Sequence, residues 1–151
     1  KERMGDKKFI EVGAGRGLLG LNLGIPTTDS FDALRPEARA TFLSNFMAPP
    51  ESFPGVERLE ALDAVYKYKP YGVLMSWPLR KRPNSIGGID FKRLHYLTQE
   101  IIMIGNDEGH NVETCPLLEV PHETIKLPEV LWTKADDQKL SSVYIWKNPR
   151  R

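Results

Sequence analysis

Glu11, Gly13, Gly15 and Gly17 stand at alternate positions in "FIEVGAGRGLLG", an acid and three glycines directly after a short apolar run. Glycines at this spacing strip side chains from one stretch of backbone, which matters where something must approach that backbone closely. A bound ligand is the first candidate. The spacing G-x-G-x-G differs from the dinucleotide fingerprint G-x-G-x-x-G, although Gly20 supplies a later glycine. A carboxylate repels a nearby phosphate, so Glu11 argues against pyrophosphate and for a ligand that offers a cation or hydrogen-bond donors. Farther along, Asp29 closes "IPTTD", Asp63 lies in "ALDA", and Ser76, Trp77 and Pro78 open "SWPL" after another apolar run.

These residues need a scaffold, and the pattern of the chain supplies one. "KFIEVG" reads as a strand meeting a glycine turn, and the leucines at 18, 19, 21 and 23 predict a helix buried on most sides. "IPTTDS" reads as a second strand, giving a βαβ unit with a parallel pair. "RPEARATFLSNFM" predicts a helix with Ala38, Phe42, Leu43 and Phe46 on one stripe, broken by the proline-rich loop "APPESFPG". "VERLEAL" alternates as a third strand would, and "DAVYKYKP" gives a short helical turn before Pro70. The continuous apolar run "YGVLMSWP" predicts a central strand covered on both faces. A basic loop, "LRKRPNSIGGID", leads to a helix at "FKRLHYLTQ" and a buried strand at "EIIMIG". "HETIKLPEV" and "SSVYIWKNP" then read as two final strands joined by the charged "LWTKADDQKL". The class is α/β, with a mostly parallel sheet of seven strands and a closing antiparallel hairpin.

Bulk properties set outer limits on function. A chain of 151 residues suits one domain, and its short N-terminal lead before the first apolar run leaves no room for a leading helix, the layout of a minimal domain. Twenty-one Lys and Arg against 20 Asp and Glu give a net charge of +1, so any attraction to nucleic acid or an anionic surface must be local. Cys115 is the only cysteine, which forbids an internal disulfide and suggests a reducing, cytoplasmic setting. No apolar run approaches the roughly 20 residues that span a bilayer.

"EVGAGRG" resembles the first motif of class I S-adenosylmethionine-dependent methyltransferases, an acid followed by alternating glycines, at all its defining positions. The resemblance implies a Rossmann-like domain over residues 1–151 with helices on both faces of the sheet, and S-adenosylmethionine as cofactor. It implies that Gly13, Ala14 and Gly15 pack against the methionine part, with Glu11 supporting the turn or the ligand's amino group. It places Asp29 and Ser30 at the ribose, where a carboxylate accepts two hydroxyl donors at once, and Leu62 and Asp63 near the adenine. "SWPL" is similar to the acceptor-side motif of amino methyltransferases at Ser76 and Pro78. It carries Leu79 where that family has an aromatic, and a leucine is no stacking platform; Trp77 could substitute only where the loop turns differently.

Plainer roles compete with each of these. Asp29 and Asp63 both precede helical patterns and could be N-caps, and Trp77 could close the core. Arg80, Lys81 and Arg82 form either a solvated loop or a local grip on phosphate or an acidic partner. Asp107, Glu108 and His110 in "NDEGHN" form either a polar turn or the place of a general base. The three histidines, His95, His110 and His122, show no metal-ligand spacing. The expectation is a methyltransferase with an unidentified acceptor, or else a methyltransferase-like domain that binds without turnover as a subunit of a larger assembly.

Overall fold

Strand periodicity of two assigns alternate residues of the central strands to opposite faces, and both faces are covered. The computed structural model describes residues 4–31, 35–44, 51–78, 88–106, 115–126 and 141–149. Its strands are β1 (Phe9–Val12), β2 (Thr27–Asp29), β3 (Glu57–Arg58), β4 (Gly72–Ser76), β5 (Glu100–Asn106), β6 (Glu123–Lys126) and β7 (Ser141–Lys147). The helices are α1 (Leu18–Leu23), α2 (Pro36–Ser44), α3 (Ala61–Tyr68) and α4 (Phe91–Leu97). All seven strands join one sheet in the order β3-β2-β1-β4-β5-β7-β6. β1 to β5 pair in parallel, whereas β7 runs antiparallel to both β5 and β6. This is the mostly parallel, Rossmann-like topology of the methyltransferase folds, with its closing hairpin.

On one face Ile10, Val12, Val73, Met75, Ile101 and Met103 are buried beneath Ala64 and Val65 of α3, Phe91 and Leu94 of α4, and Leu117 of a 3-10 turn at Pro116–Glu119. Trp146 of β7 completes this layer, and its indole N–H donates to the Leu117 carbonyl at 2.7 Å, so the buried ring leaves no polar atom unpaired. The other face carries Phe9, Leu74, Ile102 and Ile145, with Leu19 and Leu23 of α1 packed on them. Glu11 shares this second face, two residues after Phe9, and is therefore aimed toward α1.

Three expectations change. The helix after the glycine turn is not buried on most sides: among its residues only Gly20 is buried, and Leu18 is 54% exposed. Leu43 on α2 is 57% exposed and belongs to no buried stripe; the side chains of Ala38, Phe42 and Phe46 lie outside the described residues. The strand read into "VERLEAL" shrinks to Glu57–Arg58, because Ala61, Ala64, Val65 and Tyr68 repeat at helical spacing and draw "ALDAVYKY" into the two turns of α3. Ala61 and Leu62 therefore belong to α3, and Asp63 sits in its first turn. Among the described residues no helix is long and apolar enough to cross a membrane.

Candidate functional site

The order β3-β2-β1-β4 reverses direction between β1 and β4, and in open parallel sheets the crevice at the carboxyl ends of such a pair is where ligands bind. Glu11 pairs with Leu74 in the β1–β4 register, so the chain leaves β1 into the glycine turn at the level where β4 ends in Ser76 and Trp77.

The turn is braced on several sides by the protein itself. The Gly15 N–H donates to Asp29 Oδ2 at 2.7 Å, and the Phe31 N–H donates to Asp29 Oδ1 at 2.6 Å. Asp29 is thus no N-cap; one carboxylate fastens the glycine turn to the end of β2. The Ala14 N–H donates to the Thr28 carbonyl at 3.0 Å, continuing the β1–β2 pairing into the turn. From the opposite side the Ser52 hydroxyl donates to the Gly15 carbonyl at 2.7 Å, and the Phe53 N–H to the Arg16 carbonyl at 3.0 Å.

Glu11 is buried behind the turn, with Oε2 accepting the Gly20 N–H at 2.8 Å. Burial pushes its carboxyl up to about 7, the Gly20 N–H opposes the shift, and the Asp29 charge adds to it. Of the two roles expected for Glu11, support of the turn is the one this geometry displays.

The glycines of the turn have different neighbours. A methyl at Gly20 would lie 2.5 Å from Glu11 Oε2, and one at Gly17 would strike Val56 and Thr27. At Gly13 the space is taken by Ile89, whose Cδ1 would be 3.0 Å from an ideal Cβ. Of these four only Gly15, at φ 56°, faces open space, with nothing among the described residues within 4 Å of a Cβ. At the carboxyl ends of β2 and β3 a cleft of about 270 Å³ is lined by Ser30, Arg35, Arg58, Leu59, Glu60 and Asp63. Ser30 and Asp63, far apart in sequence, are brought together there. Leu62, by contrast, packs against the α3 side of the core. Asp63 does not cap α3, since the N-cap residue is Glu60, whose side chain makes no capping bond.

Beside the turn, β4 ends in Ser76, and Trp77 adopts φ 53°, in the left-handed region that costs a non-glycine residue about 1–2 kcal/mol. The Trp77 N–H donates to the Ile104 carbonyl at 2.9 Å, so the chain swings away while still tied to β5. Trp77 is half-buried, stands in neither of the two core clusters, and precedes a buried Pro78.

Leu79, the cations Arg80, Lys81 and Arg82, and Asp107, Glu108 and His110 lie outside the described residues. Among those described, no three His, Cys, Asp or Glu side chains converge as metal ligands. His95 lies on α4 near the amino end of β5, where its carbonyl accepts from Asn148 just after β7, and burial lowers its pKa. Cys115 is buried and free, its thiol pushed up by burial.

Sequence reading missed Ser52, Ile89, Arg35 and Arg58. Ser52 and Ile89 sit in loops with no periodicity to mark them. The two arginines carried no motif; Arg58 could have been found from its pairing with Asp29 across β2 and β3, had the register been known.

No family model matches the chain, and no curated protein matches it. Among solved structures it is similar to a crystal structure of a Thermoplasma acidophilum protein, at 18% identity over 99% of this chain and 83% of that one, with a TM-score of 0.45. What places the chain among the Rossmann-like methyltransferase folds is its own strand order and register.

Proposed function

We propose that the protein binds S-adenosylmethionine in the crevice between β1 and β4 and transfers its methyl group to an acceptor held near the end of β4. One observation carries the reading: Gly15, with open space on its Cβ side among the described residues, is fastened through its N–H to the carboxylate of Asp29, whose chain neighbour Ser30 lines a cleft together with Asp63.

The cofactor's chemistry is to supply an electrophilic methyl on a sulfonium. The residues present suit its adenosine end. Asp29 has lone pairs left on both oxygens for ribose hydroxyls, Ser30 adds a hydroxyl, and Asp63 bounds the side toward the base. Gly13, Ala14 and Gly15 offer backbone to the amino-acid arm, and Glu11 keeps the turn in shape from behind. Ser76, Trp77 and Pro78 border the space for the acceptor. Transfer from a sulfonium depends mainly on aligning the acceptor lone pair opposite the leaving sulfur, so positioning can supply much of the rate.

A second reading, a domain of this fold that binds partners without turnover, draws on one feature. Both Asp29 oxygens already serve the protein's own backbone.

Titration calorimetry with S-adenosylhomocysteine separates the two. Micromolar affinity, about −8 kcal/mol, that is lost in Asp29→Ala supports the enzyme reading. A folded protein that binds neither S-adenosylhomocysteine nor S-adenosylmethionine leaves the second.

A further inference from the structure

The crevice has two unequal ends. Toward β2 and β3 it opens into the cleft of Ser30 and Asp63. Toward β4 the space over Gly13 is filled by an isoleucine from a different part of the chain: Cδ1 of Ile89 lies 3.0 Å, and Cγ1 3.9 Å, from where a Gly13 Cβ would be. Ile89 is 7% exposed, belongs to the core beneath α3 and α4, and immediately precedes Asp90, whose carboxylate caps α4 by accepting the Arg93 N–H. Its backbone is therefore anchored by the helix, and from within the core the tip of its side chain packs against the glycine turn at Gly13.

We infer that Ile89 sets ligand specificity at this site by occupying the place next to Gly13 that a ligand's amino-acid arm would take. The inference rests on the cofactor reading above and extends it. The protein holds the adenosine portion of its ligand in preformed space, and the arm gains contact with Gly13 only when the Ile89 side chain changes rotamer. An isoleucine is stiff at χ1, so that change works against the ligand and the arm adds little to affinity. Shortening the side chain by its terminal methyl removes the one atom in closest contact and leaves the rest in the core.

The test compares two probes on three proteins. S-adenosylhomocysteine carries the amino-acid arm; 5′-methylthioadenosine lacks it. The wild-type protein is expected to bind the two about equally. Ile89→Val is expected to bind S-adenosylhomocysteine about tenfold more tightly, a gain of about 1.4 kcal/mol, with methylthioadenosine unchanged, and Ile89→Ala is expected to exceed that gain while still folded by circular dichroism. If the wild-type protein already favours S-adenosylhomocysteine strongly and both variants keep that ratio, the inference is overturned while the cofactor reading stands. A parallel rise for both probes also overturns it, because Ile89 would then act on the whole site rather than the arm. Failure of both probes to bind to all three folded proteins overturns the cofactor reading itself.

Discussion

The two ends of the crevice are built from the same glycine turn yet differ in what presses on it. At the end near β2, Gly15 has no neighbour on its Cβ side among the described residues, and its backbone is held by polar bonds to Asp29 and Ser52. At the other positions the close approach is internal: Ile89 over Gly13, Val56 against Gly17, and Glu11 and Thr27 against Gly20. Glycines that look equivalent by spacing thus divide into those that the fold needs and one that leaves room for something else. A run of glycines is evidence of close approach, and only the neighbours say whether a ligand or the protein does the approaching.

The largest effect that would sharpen this division is at Gly20. Alanine in a helix interior ordinarily stabilises by about 1 kcal/mol over glycine. Here the added methyl would be forced onto the Thr27 hydroxyl and the Glu11 carboxylate. Gly20→Ala is expected to destabilise by about 3 kcal/mol in urea unfolding, the upper range for overpacking. A neutral or stabilising result would break the claim that this glycine serves packing.

Glu11 gives the next effect, and its sign follows from its raised pKa. The folded protein keeps the Glu11 proton up to about pH 7, whereas the unfolded chain releases it near its ordinary value of 4.5. Between those values the folded state holds the extra proton, so stability falls as pH rises through the window and levels off above it. The shift corresponds to about 3 kcal/mol. Glu11→Gln keeps an acceptor for the Gly20 N–H and removes the titration. Its stability relative to the wild-type protein should therefore climb by up to about 3 kcal/mol between pH 4.5 and pH 8, read from urea midpoints at the two ends. A constant difference across that range would mean that Glu11 is not held behind the turn as described.

Which parts of this arrangement were legible in the sequence follows from the range of the interactions. The central strands β1, β4, β5 and β7 were readable because each carries its apolar pattern locally, and the mostly parallel sheet with a closing hairpin follows from the alternation of strands and helices that ends in two strands; β3, made of Glu57 and Arg58, carries no such pattern. The turn and Asp29 were readable because a short-range motif encodes them. Ala61 and Leu62 fall on a helix instead of a strand because "VERLEAL" satisfies a two-residue period and a helical one at once, and the longer helical repeat through Tyr68 prevails; Asp63, read just after the strand in a helical turn, lies in that helix. Ile89 and Ser52 were invisible for another reason. Ser52 lies 37 residues from Gly15, and Ile89 lies 76 residues from Gly13; contacts of that range are fixed only when β3 and α4 have docked.

The smallest stability effects bear most directly on the open end. Ser52→Ala removes one hydroxyl from the Gly15 carbonyl and should cost about 1 kcal/mol, since the rest of the brace, including the Phe53 N–H to Arg16, is untouched. Gly15→Asn should cost about as little, because asparagine tolerates the left-handed backbone better than other side chains and nothing stands in its way at φ 56°. The same asparagine fills the space in which a ligand would lie against the turn. The variant should unfold within about 1 kcal/mol of the wild-type protein and yet lose measurable binding of S-adenosylhomocysteine, a separation that neither Gly17 nor Gly20 can produce because their substitutions disturb the fold first. Were Gly15→Asn instead to bind normally, the open face of Gly15 would be solvent rather than site, and the two ends of the crevice would no longer differ in function.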